Sequence, residues 1–209
     1  MGYAVRDYVA EDERSWLRCR VSSSLGTALH DDVVAAKPEV SGAELVAVDG
    51  AVVVGILDLA VDGDLATIET IAVHPDHQHR GIGGALLSRA RTRALALGAT
   101  TLDAWTRDDP PTLRWYRAMG FGESDQHLRV IADQRTSPDE PARAVAARPD
   151  RRVAKAFRRA DVTEEARSRR EFARVHARRR FAMPLRGELR RRGDDVDHGA
   201  VAQDGHRQR

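Results

Sequence analysis

The chain has 209 residues, a formal net charge of +2 at pH 7 and one cysteine, Cys19. That length holds one large domain or a domain with an appendage, and a lone cysteine excludes an intramolecular disulfide and suits a reducing compartment. The N-terminal MGYAVRDYVAEDER has no apolar signal core, and Arg6 stands where myristoylation needs Ser or Thr. No apolar run approaches the roughly 18 residues of a membrane span, so a cytoplasmic protein with no membrane partner is expected.

The small net charge conceals two unlike halves. Residues 1–134 carry 13 Lys+Arg and 20 Asp+Glu, whereas 135–209 carry 21 and 12. Every Trp, Tyr and Ile precedes residue 132, and the last 75 residues offer three Phe and two Leu among many Arg. Such a composition buries too little apolar surface to offset the entropy of ordering it. The expectation is a folded domain over 1–134 and a basic, largely disordered extension over 135–209.

In chain order, YAVRDYV (3–9) reads as a strand and 11–21 as an amphipathic helix around Trp16, Leu17 and Val21. A short helix is expected over 28–36, before Pro38. ELVAVDGAVVVGILDLA (44–60) is a hairpin about Asp49-Gly50, and Asp62-Gly63-Asp64 turns into ATIETIAV (66–73), giving a three-strand meander. Leu86, Leu87, Ala90, Ala94 and Leu97 recur at helical spacing, with Gly98 as the stop. TTLDAWT (100–106) is a strand. Asp109-Pro110-Pro111 opens a helix that ends at Gly120, and HLRVIAD (127–133) is the last strand. The order predicts a mixed-sheet α/β fold with parallel pairing only around 66–106.

The stretch VHPDHQHRGIGGALL (73–87) passes from strand to loop to helix, with Gly81, Gly83 and Gly84 at the turning point beside Arg80. A glycine-rich turn opening a helix presents unpaired N–H groups and the positive end of the dipole to an anion. Close packing of the turn is the other reading of such glycines. A P-loop is excluded because its Lys is absent, and a dinucleotide fingerprint because Leu86 stands where the third glycine belongs.

Gln78-His79-Arg80-Gly81-Ile82-Gly83 fits Q/R-x-x-G-x-G/A and resembles the acetyl-CoA loop of the GNAT superfamily of N-acetyltransferases. LRWYRAMGF (113–121) is similar to the family's helix with Tyr before Gly-Phe, and the resemblance covers roughly 3–133. It implies a mixed, mostly antiparallel central sheet flanked by helices, and acetyl-CoA as co-substrate with no metal. It further implies pyrophosphate against the amides of Gln78, His79, Arg80, Gly81, Ile82, Gly83 and Gly84. Pantetheine would lie along Ile71, Ala72 and Val73, where the strand splays from its neighbour.

Acetyl transfer to an amine needs a neutral amine, an oriented thioester, an oxyanion donor and a proton for the thiolate. Backbone N–H groups near Val73 serve the oxyanion, and Tyr116 matches the family's usual proton donor. Glu69 is the base candidate, on a face shared by Thr67, Ile71 and Val73 through two-residue alternation. The alternative for Glu69 is a solvated strand carboxylate. Other family members place a carboxylate twelve residues before the Tyr, where this chain has Ala104. His74, His77 and His79 lack an evident fourth metal ligand. Cys19 lies far in sequence from the loop, so direct attack in a ternary complex is expected over an acetyl-cysteine route.

The expected activity is acetylation of a primary amine on a small molecule, peptide or protein. Two other classes stay open. One is a non-catalytic acyl-CoA sensor. The other is a nucleic-acid- or ribosome-associated protein acting through RREFARVHARRR (169–180) and LRRR (189–192). Monomer and dimer are equally compatible with the sequence.

Overall fold

The first hairpin forms one residue later than the Asp49-Gly50 dipeptide implies. In a computed structural model describing residues 2–25, 27, 34–133, 138–141 and 155–185 (backbone alone at 155–158), β2 (Gly42–Asp49) and β3 (Val52–Asp62) are joined by Gly50-Ala51. Gly50 has φ 60° while Ala51 does not share the positive φ, so one glycine at the first central position suffices.

The remaining elements to residue 133 follow the expected order. β1 (Ala4–Asp7) pairs antiparallel with β2, and α1 (Glu13–Ser24) packs Trp16 and Cys19 on Val46, Val53 and Ile56. The helix expected over 28–36 falls mostly on 28–33, outside the described residues, and 34–36 are not helical. β3 turns at Gly63 (φ 58°) into β4 (Leu65–Val73), completing the antiparallel meander. α2 (Ile82–Ala96) leads to β5 (Thr101–Arg107), which runs parallel to β4. α3 (Pro110–Ala118) is capped by Asp109, whose Oδ2 accepts from the Thr112 amide at 3.1 Å. Gly98 (φ 93°) and Gly120 (φ 88°) close the two helices in the left-handed conformation, and β6 (Gly122–Asp133) follows.

The reading of 135–209 as an unstructured extension does not hold for 155–185. Those residues form β7 (Lys155–Ala160), α4 (Glu165–Glu171) and β8 (Arg174–Pro184). The single sheet has the order β1-β2-β3-β4-β5-β8-β6-β7, so β8 fills the space between β5 and β6. Its arginines hide an ordinary strand: Val175, Ala177, Phe181 and Met183 alternate into the core. The low apolar fraction that argued for disorder is sufficient because β8 has two partner strands to receive it.

α2 and α3 cover one face of the sheet over Leu57, Leu59, Leu102 and Phe181, and α1 covers the opposite face of β2, β3 and β4. Between α1 and β2, Lys37 enters that second layer. Its side chain is 3% exposed, with Nζ paired to Glu44 and 3.2 Å from Asp58 Oδ1, and 4.7 Å from the Tyr8 ring centroid. Burial pushes the Asp58 carboxyl up to about 6 against the pull of Lys37. Removing the cation takes the ion-pair partner from the buried Asp58 carboxylate and from the half-buried Glu44. Lys37→Met is therefore expected to cost about 3–5 kcal/mol in urea unfolding. A midpoint unchanged at neutral pH would show that solvent reaches the cluster.

Candidate active site

The parallel ladder between β4 and β5 stops at Ile68 and Ala104, although β4 continues to Val73 and β5 to Arg107. Past that rung β4 and β5 are no longer paired, and the β5-facing edge of Glu69–Val73 has no ladder partner among the described residues. Where the gap begins, β4 also carries a bulge: Asp58 pairs with Thr70 and Leu59 with Ile68, leaving Glu69 as the extra residue.

The bulge overturns the simple alternation. Ile71 and Val73 pack against the α2–α3 core, whereas Ala72 packs with the α1 layer and Thr70 Oγ1 accepts from Arg20 of α1 at 2.8 Å. Glu69 shares the latter side with Thr67, not a face with Ile71 and Val73, because one inserted residue exchanges the faces beyond it. It is exposed and lines a cavity of about 600 Å³ with Trp105, His127, Arg129, Arg159 and Arg178.

Tyr116 lies on the other side of the sheet. It is 3% exposed, stacked on Phe181 at 5.3 Å and edge-on to Phe121 and Trp115 at 5.2 and 5.1 Å. This aromatic clamp fixes the ring, and desolvation raises its pKa far above the ordinary phenol value, so the hydroxyl keeps its proton at neutral pH. Ala104 is buried in the same core, as its apolar side chain requires. Its neighbour Asp103, which sequence reasoning passed over, is the carboxylate nearest that position. Asp103 accepts from Thr67 Oγ1 at 2.6 Å and is paired with Arg180, so it braces β4, β5 and β8 together below the gap.

The glycine loop closes the site from the α2 end. Gln78 donates from Nε2 to the Val73 carbonyl at 3.2 Å, tying the loop to the strand. His79 (φ 59°) and Gly81 (φ 80°) both adopt left-handed backbone, which histidine tolerates and glycine takes freely. Gly81 is the N-cap of α2 and supplies no side-chain cap, in contrast to Asp109 on α3. The first-turn amides of α2 are thus left for water or an anion. Gln78, His79 and Arg80 are exposed and Ile82 is buried beneath them.

Gly83 and Gly84 differ in surroundings. A Cβ on Gly83 would lie 3.4 Å from the Trp115 indole, so close packing against α3 applies to that residue; a Cβ on Gly84 would meet nothing within 4 Å. His74 accepts the Asp76 amide through Nδ1 and His77 Nε2 lies 3.7 Å from Asp49, so both imidazoles shape the loop. Cys19 is 1% exposed, and burial pushes its thiol up to about 11.

Comparison with known proteins fits this geometry. The family profile described as acetyltransferase (GNAT) domain matches residues 41–123. An acetyltransferase of Yersinia pestis (strain Pestoides F) is 30% identical over 94 residues, covering 43% of this chain and 67% of that one. An amino-acid acetyltransferase of Azotobacter vinelandii is 41% identical over 63 residues, 30% of this chain. The chain spans only 14% of that relative's length. Among solved structures, yncA, a putative acetyltransferase from Salmonella typhimurium with acetyl-CoA, superposes at TM-score 0.57. It has 16% identity and covers 97% of this chain and 99% of its own. PaiA N-acetyltransferase from Thermoplasma acidophilum in complex with coenzyme A gives 0.52 at 15% identity, covering 60% of this chain and 92% of that one. These two likenesses are of fold.

Proposed function

Because the chain belongs to the GNAT acetyltransferase family, we propose that it transfers the acetyl group of acetyl-CoA to a primary amine, by direct attack within a ternary complex. One observation carries the reading. The β4–β5 ladder ends at Ile68–Ala104 and β4 runs on without β5 to Val73, where Gln78 ties down the loop before the uncapped start of α2, with Glu69 and Tyr116 on opposite faces of the sheet.

The residues present suit acetyl-CoA. The amides at the start of α2 and Arg80 would face its pyrophosphate, and the free edge of Ile71–Val73 its pantetheine arm. The bound thioester supplies the activated acyl carbon. On the cavity side Glu69 takes a proton from the ammonium, directly or through water, which frees the lone pair for attack. The free amine would attack the thioester carbon, backbone N–H groups near Val73 would hold the oxyanion, and as the C–S bond breaks the Tyr116 hydroxyl would protonate the sulfur while the second proton shed by the nitrogen returns through water to Tyr116. The buried, protonated thiol of Cys19 argues against an acetyl-cysteine intermediate.

Thiol release from acetyl-CoA across a broad amine panel tests the reading. Calorimetric binding of acetyl-CoA without amine-dependent thiol release would favour an acyl-CoA sensor.

Gly84 offers a clean probe of the loop, because a side chain there meets open space in the fold. Gly84→Val is expected to weaken acetyl-CoA binding at least about tenfold, or 1.4 kcal/mol, with an unshifted thermal midpoint. Unchanged affinity would remove Gly84 from the cofactor site. Gly83→Val is a poorer probe, since its methyls also press on Trp115.

A further inference from the structure

Arg159 of β7 reaches back across β6, and what it meets there is an imidazole. Its Nη2 lies 2.9 Å from His127 Nδ1, and its guanidinium carbon lies 5.9 Å from the Trp105 ring centroid. The Trp105 and His127 rings are themselves 4.8 Å apart between centroids and tilted by 54°. Two side chains thus hold the imidazole, Arg159 at one nitrogen and Trp105 against the ring. His127 and Trp105 both line the cavity of about 600 Å³ that also contains Glu69.

The contact with Arg159 decides where the imidazole proton sits. A guanidinium has only N–H donors, so Nδ1 is the acceptor of that bond, and an accepting imidazole nitrogen carries no hydrogen. The hydrogen of the neutral ring is then on Nε2. Burial first, then Arg159, Arg178 and Arg129, hold His127 below the ordinary imidazole pKa against the opposing pull of Asp125, so the ring stays neutral at pH 7. His127 is therefore no base for the amine, because the one lone pair able to take a proton is engaged by Arg159. Proton transfer is left to Glu69. What His127 offers the cavity is a donor, and its Nε2 has no hydrogen-bond partner among the described residues.

Glu69 on β4 and His127 on β6 are separated by β5 and β8, three strand spacings or roughly 14 Å between backbones. Both side chains line the cavity and take up part of that span, leaving a few bonds of linker. Trp105 on β5 gives the linker an aromatic wall. The two ends have opposite demands: a carboxylate suits an ammonium, and an N–H donor suits an atom with a lone pair.

We infer that His127 is a specificity-determining residue for the acetyl acceptor, its Nε2–H donating to a carbonyl oxygen, of an amide or a carboxylate, that a short linker joins to the reacting primary amine. This rests on the acetyltransferase reading and specifies its acceptor. An acceptor with a hydrocarbon group in that place strips water from the donor and leaves it unpaired.

The test uses the full chain, acetyl-CoA and three acceptors of equal spacer: β-alaninamide, β-alanine and 3-methylbutylamine, which puts a branched hydrocarbon where the others have the carbonyl group. Expected is a kcat/KM at least about fivefold higher for a carbonyl-bearing acceptor than for 3-methylbutylamine. His127→Leu should erase most of that ratio, a comparison in which the differing basicity of the amines cancels, while CoA affinity by calorimetry stays parental. His127→Gln, whose amide keeps an acceptor for Arg159 and a donor for the substrate, should retain most of it. The β-alaninamide and β-alanine arms distinguish amide from carboxylate, by which ratio depends more on His127. Heteronuclear NMR of the histidine rings at pH 7 should show His127 as the neutral Nε2–H tautomer. A charged ring or an Nδ1–H tautomer overturns the inference, as does a ratio that survives His127→Leu or is absent from the parent. So does turnover of none of the three acceptors with CoA bound. Failure to bind CoA at all would instead overturn the acetyltransferase reading.

Discussion

Truncation after Asp133 is expected to abolish folding, not to release a stable domain from a basic tail. The cut removes β8 from between β5 and β6 and with it Val175, Ala177, Phe181 and Met183, all buried. It also takes away the ring on which Tyr116 stacks and the guanidinium that answers Asp103. A sheet split at its centre leaves two open edges and an uncompensated buried carboxylate. Phe181→Ala gives the graded version, with an expected loss of about 3–5 kcal/mol in denaturant unfolding. A second truncation after Leu185 keeps all eight strands of the described residues and should keep the thermal midpoint. If the chain cut after Asp133 melted cooperatively at the parental temperature, β8 would be dispensable and residues 1–134 a domain in their own right.

Glu69→Gln is expected to lower turnover by about 10² to 10⁴ at pH 7, the usual span for general acid–base catalysis, without changing acetyl-CoA affinity. The substitution keeps shape and hydrogen bonding but removes the proton acceptor. An alkylamine, with a pKa near about 10, is almost wholly protonated at pH 7, and its free form grows as pH rises. The deficit should therefore shrink towards high pH, where deprotonation no longer needs the enzyme. Tyr116→Phe separates from this. The ring packing against Phe181, Phe121 and Trp115 survives, so stability should hold, while turnover falls wherever thiolate departure limits the rate. Parental turnover by Glu69→Gln at pH 7 with a primary alkylamine would make Glu69 an ordinary exposed strand residue and solvent the base.

The run RREFARVHARRR, whose composition fits a nucleic-acid-binding arm, spans the end of α4 and most of β8. Several of its arginines are spent on named internal partners, Arg169 on Glu165 and Asp108, Arg179 on Glu123 and Arg180 on Asp103. Arg178 faces the cavity.

What the sequence determined is what neighbouring residues decide among themselves. The turns at Gly50 and Gly63, the Asp109 cap with prolines behind it, the glycine stops at 98 and 120 and the loop from Gln78 to Gly84 all depend on φ preferences and hydrogen bonds spanning a few residues. They were therefore legible in order, although β6 starts at Gly122, ahead of the strand expected over 127–133, and α1 runs on to Ser24. Only the tertiary structure decided the rest. Asp103 meets Arg180 across 77 residues of chain, and no local pattern announces that β8 will enter between β5 and β6. The bulge at Glu69 is likewise invisible to a two-residue period, because it exists only in the register between β3 and β4. Arginines that look like a solvated tail become the wall of a cavity once pairing across β5, β8, β6 and β7 sets them on one face. A strand's side chains acquire their meaning from partners whose position the strand's own sequence does not encode.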